Sequence, residues 1–239
     1  MSAYSCMQLY DNKNAFEVDI MRQNIIYVVT SFMDAHGFMP CDSGRAISTI
    51  KFVKTPIGWT IYSDVDDVAE HIRDFDAIGK MFTRKMQIPA VCVVGQKDAH
   101  MLRLYKNGMR RDVYTTKPNP FGTFISKITS RGRSLRWSSL LKSGHNITEL
   151  SDAFLLGRHC HDPAYATLCN LLRLDDSTKF GFASIEDSSI SGVVTLYFCP
   201  SNRVESGIIQ KIFGGDTVRR SVVGNNINGR FFKYVWGNV

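Results

Sequence analysis

No apolar run in this sequence approaches the roughly 18 residues that a membrane-crossing helix needs. Its longest candidate, Ile25–Phe32, is interrupted by Tyr27, Thr30 and Ser31. The opening residues, Met1-Ser-Ala-Tyr-Ser-Cys6, lack the basic start and apolar centre of a secretory leader, so a cytoplasmic protein with no membrane partner is expected. No two cysteines stand as Cys-x-x-Cys, no Gly-Lys-Ser/Thr closes a phosphate loop, and no repeat or linker-like tract divides the chain. What remains is 239 residues, 44% hydrophobic and 21% charged, a composition that excludes disorder and suits one large or two small folded domains.

The six cysteines (Cys6, Cys41, Cys92, Cys160, Cys169 and Cys199) sit mostly among apolar neighbours, as in Val91-Cys92-Val93. They read as reduced, buried side chains. A Cys–His nucleophile has no local signature, and it would need a third orienting group. His159-Cys160-His161-Asp162 carries zinc-type ligands, with His145 the nearest further imidazole. A fourth convergent ligand is missing, and a polar helix end with Asp162 as its cap explains the same residues. Asp64, Asp66, Asp67, Asp74 and Asp76 could suggest a cation site, but the first three are equally suited to a helix start. Phe213-Gly214-Gly215-Asp216 follows no clear strand. No cofactor and no catalytic residue are expected, and the chain reads as a non-enzyme.

Charge is present in one place. From Lys97 to Lys142 stand eleven lysines and arginines against Asp98 and Asp112, a surplus larger than the +7 of the whole chain. Within it, Ser126-Lys-Ile-Thr-Ser-Arg-Gly-Arg-Ser-Leu-Arg-Trp137 mixes cations, hydroxyls and an aromatic. Such a stretch suits phosphate contacts in a nucleic-acid-binding protein. It equally suits docking on an acidic protein, where complementary charge speeds encounter. The residues expected to bind a partner are Arg103, Tyr105, Arg110, Arg111, Arg131, Arg133, Arg136 and Trp137, with Tyr114 and Phe121 as neighbouring aromatics of exposed type.

Periodicity and turn residues organise the rest. Ala46–Val53 and Gly58–Tyr62 predict strands around a Pro56-Ile57-Gly58 turn, and Ser48, Ile50 and Phe52 alternate with a wetter set, Ile47, Thr49 and Lys51. A helix is expected from Asp64 to about Lys85, with Val68, His71, Ile72, Phe75, Ile78 and Phe82 as its buried stripe. Pro89–Val94, Met101–Lys106 and Arg111–Thr115 predict a meander with Asn107-Gly108 as a turn. Residues 1–13 read as a lead-in. The following stretch fits a helix through Phe16, Ile20, Asn24, Tyr27 and Phe32, capped by Asn14 and stopped at Gly37, but the β-branched run Ile25–Thr30 fits a strand. Phe38–Arg45 reads as a loop.

Further on, Leu135–Leu141, Thr148–Leu156 (capped by Thr148) and Pro163–Leu174 predict short helices. Lys179–Ile185, Ser191–Cys199, Ser221–Val223 and Phe231–Trp236 predict strands, and Ser206–Phe213 a helix. The expected fold is α+β: a mostly antiparallel sheet, one packing helix and a helical insertion. Its parts are an N-terminal segment (1–45), an α/β core (46–122), a helical region (123–176) and C-terminal strands (177–239).

Gly58-Trp59, the acidic helix start, Lys97-Asp98, Leu104-Tyr-Lys-Asn-Gly108, Tyr114 and Pro118-x-Pro-Phe-Gly122 occur in that order. The pattern, spanning about residues 46–175, resembles a loose group of bacterial cytosolic proteins that includes immunity proteins of polymorphic toxins. That resemblance implies a binding protein whose partner is a cognate toxin domain, acidic or nucleotide-handling. It supplies no catalytic residues.

Overall fold

The computed structural model describes residues 4–11, 17–64, 68–96, 99–116, 132–156, 161–174 and 192–201. Among these residues eight strands form one antiparallel sheet: β1 (Tyr4–Tyr10), β2 (Phe38–Pro40), β3 (Ser48–Thr55), β4 (Gly58–Ser63), β5 (Ala90–Gln96), β6 (Ala99–Lys106), β7 (Met109–Thr115) and β8 (Val194–Pro200). Their order across the sheet is β2-β8-β3-β4-β1-β5-β6-β7, and every neighbouring pair is antiparallel. The expected α+β fold is thus present.

The strand that joins the sheet was read as a lead-in. β1 lies in the middle, pairing with β4 from Cys6↔Tyr62 to Tyr10↔Gly58 and with β5 from Tyr4↔Gly95 to Leu9↔Ala90. Its side chains alternate between two buried layers. Met7 and Leu9 enter one, Cys6 and Tyr10 the other. Alternation carries no polar half when both faces are covered, so the period-two signature of a strand is lost. The same reason corrects the wet face expected for β3, because Lys51 and Val53 on that side are buried.

Two helices cover the first face. α1 (Val18–Ala35) buries Met21, Ile25, Val28, Val29, Phe32 and Met33, and α2 (Val68–Met86) buries Phe75, Ile78, Phe82 and Met86. For α1 the helical spacing of these residues overrides the β propensity of Ile25–Thr30. Of the expected stripe Phe32 is buried, but Ile20 and Tyr27 face outward, with the Lys85 ammonium 3.2 Å from the Tyr27 ring centre. Gly37 follows the helix as expected. The expected loop after it includes β2 and a single 3₁₀ turn, Ser43–Arg45.

The second face is covered by α3 (Ser134–Trp137) with its 3₁₀ extension Ser138–Leu140, α4 (Ile147–Leu156) and α5 (His161–Leu171). Trp137, Leu140, Leu150, Phe154, Leu168 and Leu172 pack there against Tyr10, Tyr62, Leu102, Leu104 and Tyr114. Tyr10 donates to the Leu172 carbonyl at 2.9 Å and Tyr114 to the Phe154 carbonyl at 3.2 Å. α4 is capped by Asn146, not Thr148: the Asn146 Oδ1 accepts the Glu149 N–H at 3.0 Å, and Glu149 accepts from the Asn146 amide at 3.3 Å. α5 begins at His161, which places Asp162 inside its first turn. The expected elements at 179–185, 206–213, 221–223 and 231–236 lie outside the described residues.

Two turns fix the register. Asn107 and Gly108 both have positive φ, 52° and 71°, the pair of left-handed residues that a tight right-twisted hairpin requires. Gly58 has φ 149°, and a Cβ there would lie 1.9 Å from the Leu9 carbonyl oxygen of β1. The expected acidic helix start is also used differently. Asp64 accepts the Thr49 N–H at 2.6 Å and the Ser48 hydroxyl at 3.3 Å, tying the end of β4 to the start of β3.

Gly58→Ala should therefore cost more than about 3 kcal/mol in urea unfolding, since backbone rather than a yielding side chain meets the new carbon. Burial pushes the Asp64 carboxyl up to about 6 from 3.8, against the hydrogen bonds that favour its charge. The folded protein thus binds this proton more tightly than the unfolded chain, and the contribution to stability fades as pH rises from about 4 through 6. Asp64→Asn should gain stability relative to wild type across that interval, measured by urea unfolding at successive pH values.

Candidate partner-binding surface

The β6–β7 hairpin carries the basic region's described strands, and two carboxylates organise it. On the first face Asp76 of α2 receives Lys80 Nζ at 2.5 Å, the Tyr105 hydroxyl at 3.1 Å and Arg110 Nη1 at 3.2 Å, with Arg103 Nη1 at 3.7 Å. Burial opposes ionisation of Asp76, but the Lys80 hydrogen bond and the charges of Arg110, Lys80 and Arg103 outweigh it. The carboxyl sits below its ordinary value. Burial in turn raises the Tyr105 phenol well above its usual range.

On the second face Asp112 Oδ2 accepts the Trp137 indole N–H at 2.6 Å and the Arg133 backbone N–H at 2.5 Å. Arg136 donates to the Arg111 carbonyl and lies 4.0 Å from Asp112. Lys106 donates to the Arg136 carbonyl at 2.8 Å and to Ser139 Oγ at 2.6 Å. Its ammonium is lowered from the ordinary lysine value, first by burial and then by the charge of Arg111.

A β-bulge makes the two-sided arrangement geometrically feasible. Leu104 pairs with Asp112 and Tyr105 with Arg110, which leaves Arg111 as the extra residue. In an unbroken strand Arg110 and Asp112 would share a face. The bulge sends Arg110 to Asp76 and Asp112 to Trp137. It also turns the Arg111 carbonyl outward, where Arg136 takes it, while the Gly132 N–H takes the Val113 carbonyl at 3.3 Å. Residues 132–136 thereby close the sheet's terminal strand against pairing with a further strand.

The expected binding residues divide accordingly. Tyr105 and Trp137 are fully buried, and the Arg103 side chain is only 4% exposed, with its Nε directed at Met101 Sδ. These three hold the surface from beneath and are not on it. Tyr114 is likewise buried against Phe154. Their aromatic area was better spent in a sheet covered on both sides. Arg131 and Phe121 lie outside the described residues. Arg133 and Arg136 are exposed, and Arg110 and Arg111 reach the surface while anchored to the sheet.

Beside them stand two residues not anticipated, Met109 at 52% and Leu135 at 74% exposure. Met109 pairs with Lys106, which donates to the carbonyl of Arg136, next to Leu135 in sequence. Asp112 was legible as a solitary acid deep inside a basic segment. Asp76 was not, because nothing in α2 tells which strand its outer edge meets.

The other candidate chemistry lies partly outside the described residues. Residues 157–160 and the side chains of His161 and Asp162 lie outside the described residues, and His145 Nδ1 is 2.6 Å from Glu149 Oε2. Of the five aspartates considered for a cation, Asp66 and Asp67 lie outside the described residues, while Asp64 bonds β3, Asp74 is buried and Asp76 is ringed by cations. Among the described residues, no group of three or more His, Cys, Asp or Glu side chains could hold a metal, and no helix is long and apolar enough to cross a membrane. No family model, curated protein or solved structure matches the chain.

Asp112→Ala should cost about 2–3 kcal/mol in urea unfolding, because the buried Trp137 N–H loses its acceptor. Amide exchange across Met109–Thr115 should quicken in that variant. Arg133→Ala, which removes an exposed side chain, should stay within about 0.5 kcal/mol of wild type.

Proposed function

We propose that this chain is a non-catalytic immunity protein that acts in the bacterial cytoplasm and neutralises a cognate toxin by binding its acidic or nucleotide-handling domain. The observation that carries this reading is the patch at the β7 end of the sheet, where Met109 and Leu135 stand exposed among Arg110, Arg111, Arg133 and Arg136. An exposed leucine and methionine on segments that also carry exposed arginines suit a protein surface with apolar and acidic groups. Complementary charge would speed capture of a toxin before it acts. The order of turns and aromatics from Gly58-Trp59 to Pro118-x-Pro-Phe-Gly122 adds the resemblance to immunity proteins.

Nucleic acid is the competing partner for the same charges. Stacking on single-stranded bases needs exposed aromatics, and Tyr105, Tyr114 and Trp137 are in the core. That burial favours the protein partner.

Co-expression with a toxin encoded beside this gene supplies the test. Wild type should restore growth and co-purify with the toxin. The double variant Arg133→Glu, Leu135→Asp should melt like wild type yet associate roughly tenfold more slowly at low salt and lose rescue. Absence of both rescue and co-purification would end the immunity reading. Retention of a nucleic-acid pool whose binding weakens by roughly 0.7–0.9 log units per contacted phosphate for each tenfold rise in salt would transfer the patch to the competing partner.

A further inference from the structure

The opposite end of the sheet carries a second feature, unrelated to the basic patch. β2 is a three-residue edge strand whose partner is β8, in the register Phe38↔Pro200, Met39↔Cys199 and Pro40↔Phe198. The pairing continues one step beyond the strand, where the Cys41 N–H donates to the Tyr197 carbonyl at 3.0 Å. Partners across an antiparallel pair point to the same face, so Cys41 and Cys199 lie on one side as diagonal neighbours. Phe198 occupies the opposite, buried side with α1 and α2.

The Cys41 thiol lies close enough to the Cys199 thiol to be perturbed by it. Both cysteines are half-exposed, whereas Cys6, Cys92 and Cys169 are buried. Accessibility to an oxidant therefore separates them from those three. Partial desolvation, and after it the adjacent Cys199 thiol, push Cys41 up to about 11. Burial pushes Cys92 to about 12.

We propose that Cys41 and Cys199 form a redox pair, which a small-molecule disulfide such as oxidised glutathione converts to an intrachain bond clamping the β2 edge onto β8. One of the two protein thiolates attacks glutathione disulfide, forming a mixed disulfide and releasing one reduced glutathione. The second protein thiolate displaces the bound glutathione and closes the Cys41–Cys199 bond. The pair gives up two protons and two electrons, and one oxidised glutathione leaves as two reduced ones.

The clamp has a mechanical consequence. β2 is held by a short ladder and by flanking contacts, among them Ser201 N–H to the Gly37 carbonyl at 2.8 Å. A covalent link here joins the chain after α1 to the last described strand, closing a very long loop in the unfolded state. Long loops gain most from closure in the chain-entropy account.

The full-length reduced protein, treated with oxidised glutathione and then alkylated and digested, tests the proposal. A linked peptide containing Cys41 and Cys199 is expected, with the intact mass lower by about 2 Da. The melting temperature should rise by roughly 5–10 °C and return to its starting value in dithiothreitol. Cys41→Ser and Cys199→Ser, both at half-exposed positions, should each melt close to the reduced protein and show no rise with the oxidant. Glutathione adducts that persist on Cys41 or Cys199 without bridging would overturn the proposal. A bridge mapped to any other cysteine would do the same.

Discussion

Seven residues near the start of the chain decide whether there is one sheet or two. β8, β3 and β4 form one antiparallel group with β2 at its edge, and β5, β6 and β7 form another; only β1 touches both. Its ladders to β4 and β5 satisfy backbone groups on both sides, and buried groups left unpaired would each cost on the order of 1–3 kcal/mol. The tightest approach is at Gly58, where the absence of a Cβ admits the Leu9 carbonyl. Once β1 is seated, the two faces become continuous surfaces. α1 and α2 then share one apolar layer that runs from Phe198 to Tyr105, and α3, α4 and α5 share another from Val53 to Tyr114.

The same constraint shapes the order of events in folding. The hairpins β3–β4 and β6–β7 are local, so little loop entropy opposes them. β1 must pair with strands roughly fifty and ninety residues downstream, which is the kind of long-range contact that slows folding. Until it arrives, β4 and β5 each present an open edge with Trp59, Ile61, Val91 and Val93 beside it. Such edges invite aggregation. The two ends of the finished sheet are guarded in different ways: β7 by residues 132–136 lying across its carbonyls, and β2 by being only three residues long.

How much of this could be read from residues alone depended on which signal each element needed. β3, β4, β6 and α2 were legible because their ends are marked by Pro56, Asn107-Gly108 and a strong apolar stripe, all local. α3, α4 and α5 were legible as short helices from local pattern, although the cap of α4 is Asn146. β1 was not, since a strand buried on both faces shows no wet half and its identity rests on partners far away. α1 stood open between helix and strand, and its expected helical stripe was partly misplaced because Ile20 and Tyr27 are apolar-looking side chains that the fold leaves outside. For the surface patch, sequence located the segment and not the division of labour within it. Charge density says where cations are. It does not say that Arg103 would be drawn under the hairpin by Asp76, or that the indole of Trp137 would be consumed by Asp112.

That division of labour bears on how the patch can act. A free arginine loses considerable rotamer entropy when it is fixed in an interface, of order 0.5–1.5 kcal/mol for each rotamer-rich side chain. Arg110 is already held by Asp76, and Arg136 by the Arg111 carbonyl, so part of that entropy is lost on folding and not on binding. The holding is electrostatically incomplete, because Asp76 is shared among three cations and Asp112 offers its oxygens mainly to neutral N–H groups. Positive charge is therefore positioned without being cancelled. The bulge at Arg111 is what reconciles the two demands, since it anchors Arg110 on one face and lets Asp112 secure α3 on the other. A surface made this way presents fixed cations as well as exposed Met109 and Leu135, and any acidic partner would meet it with little left to order.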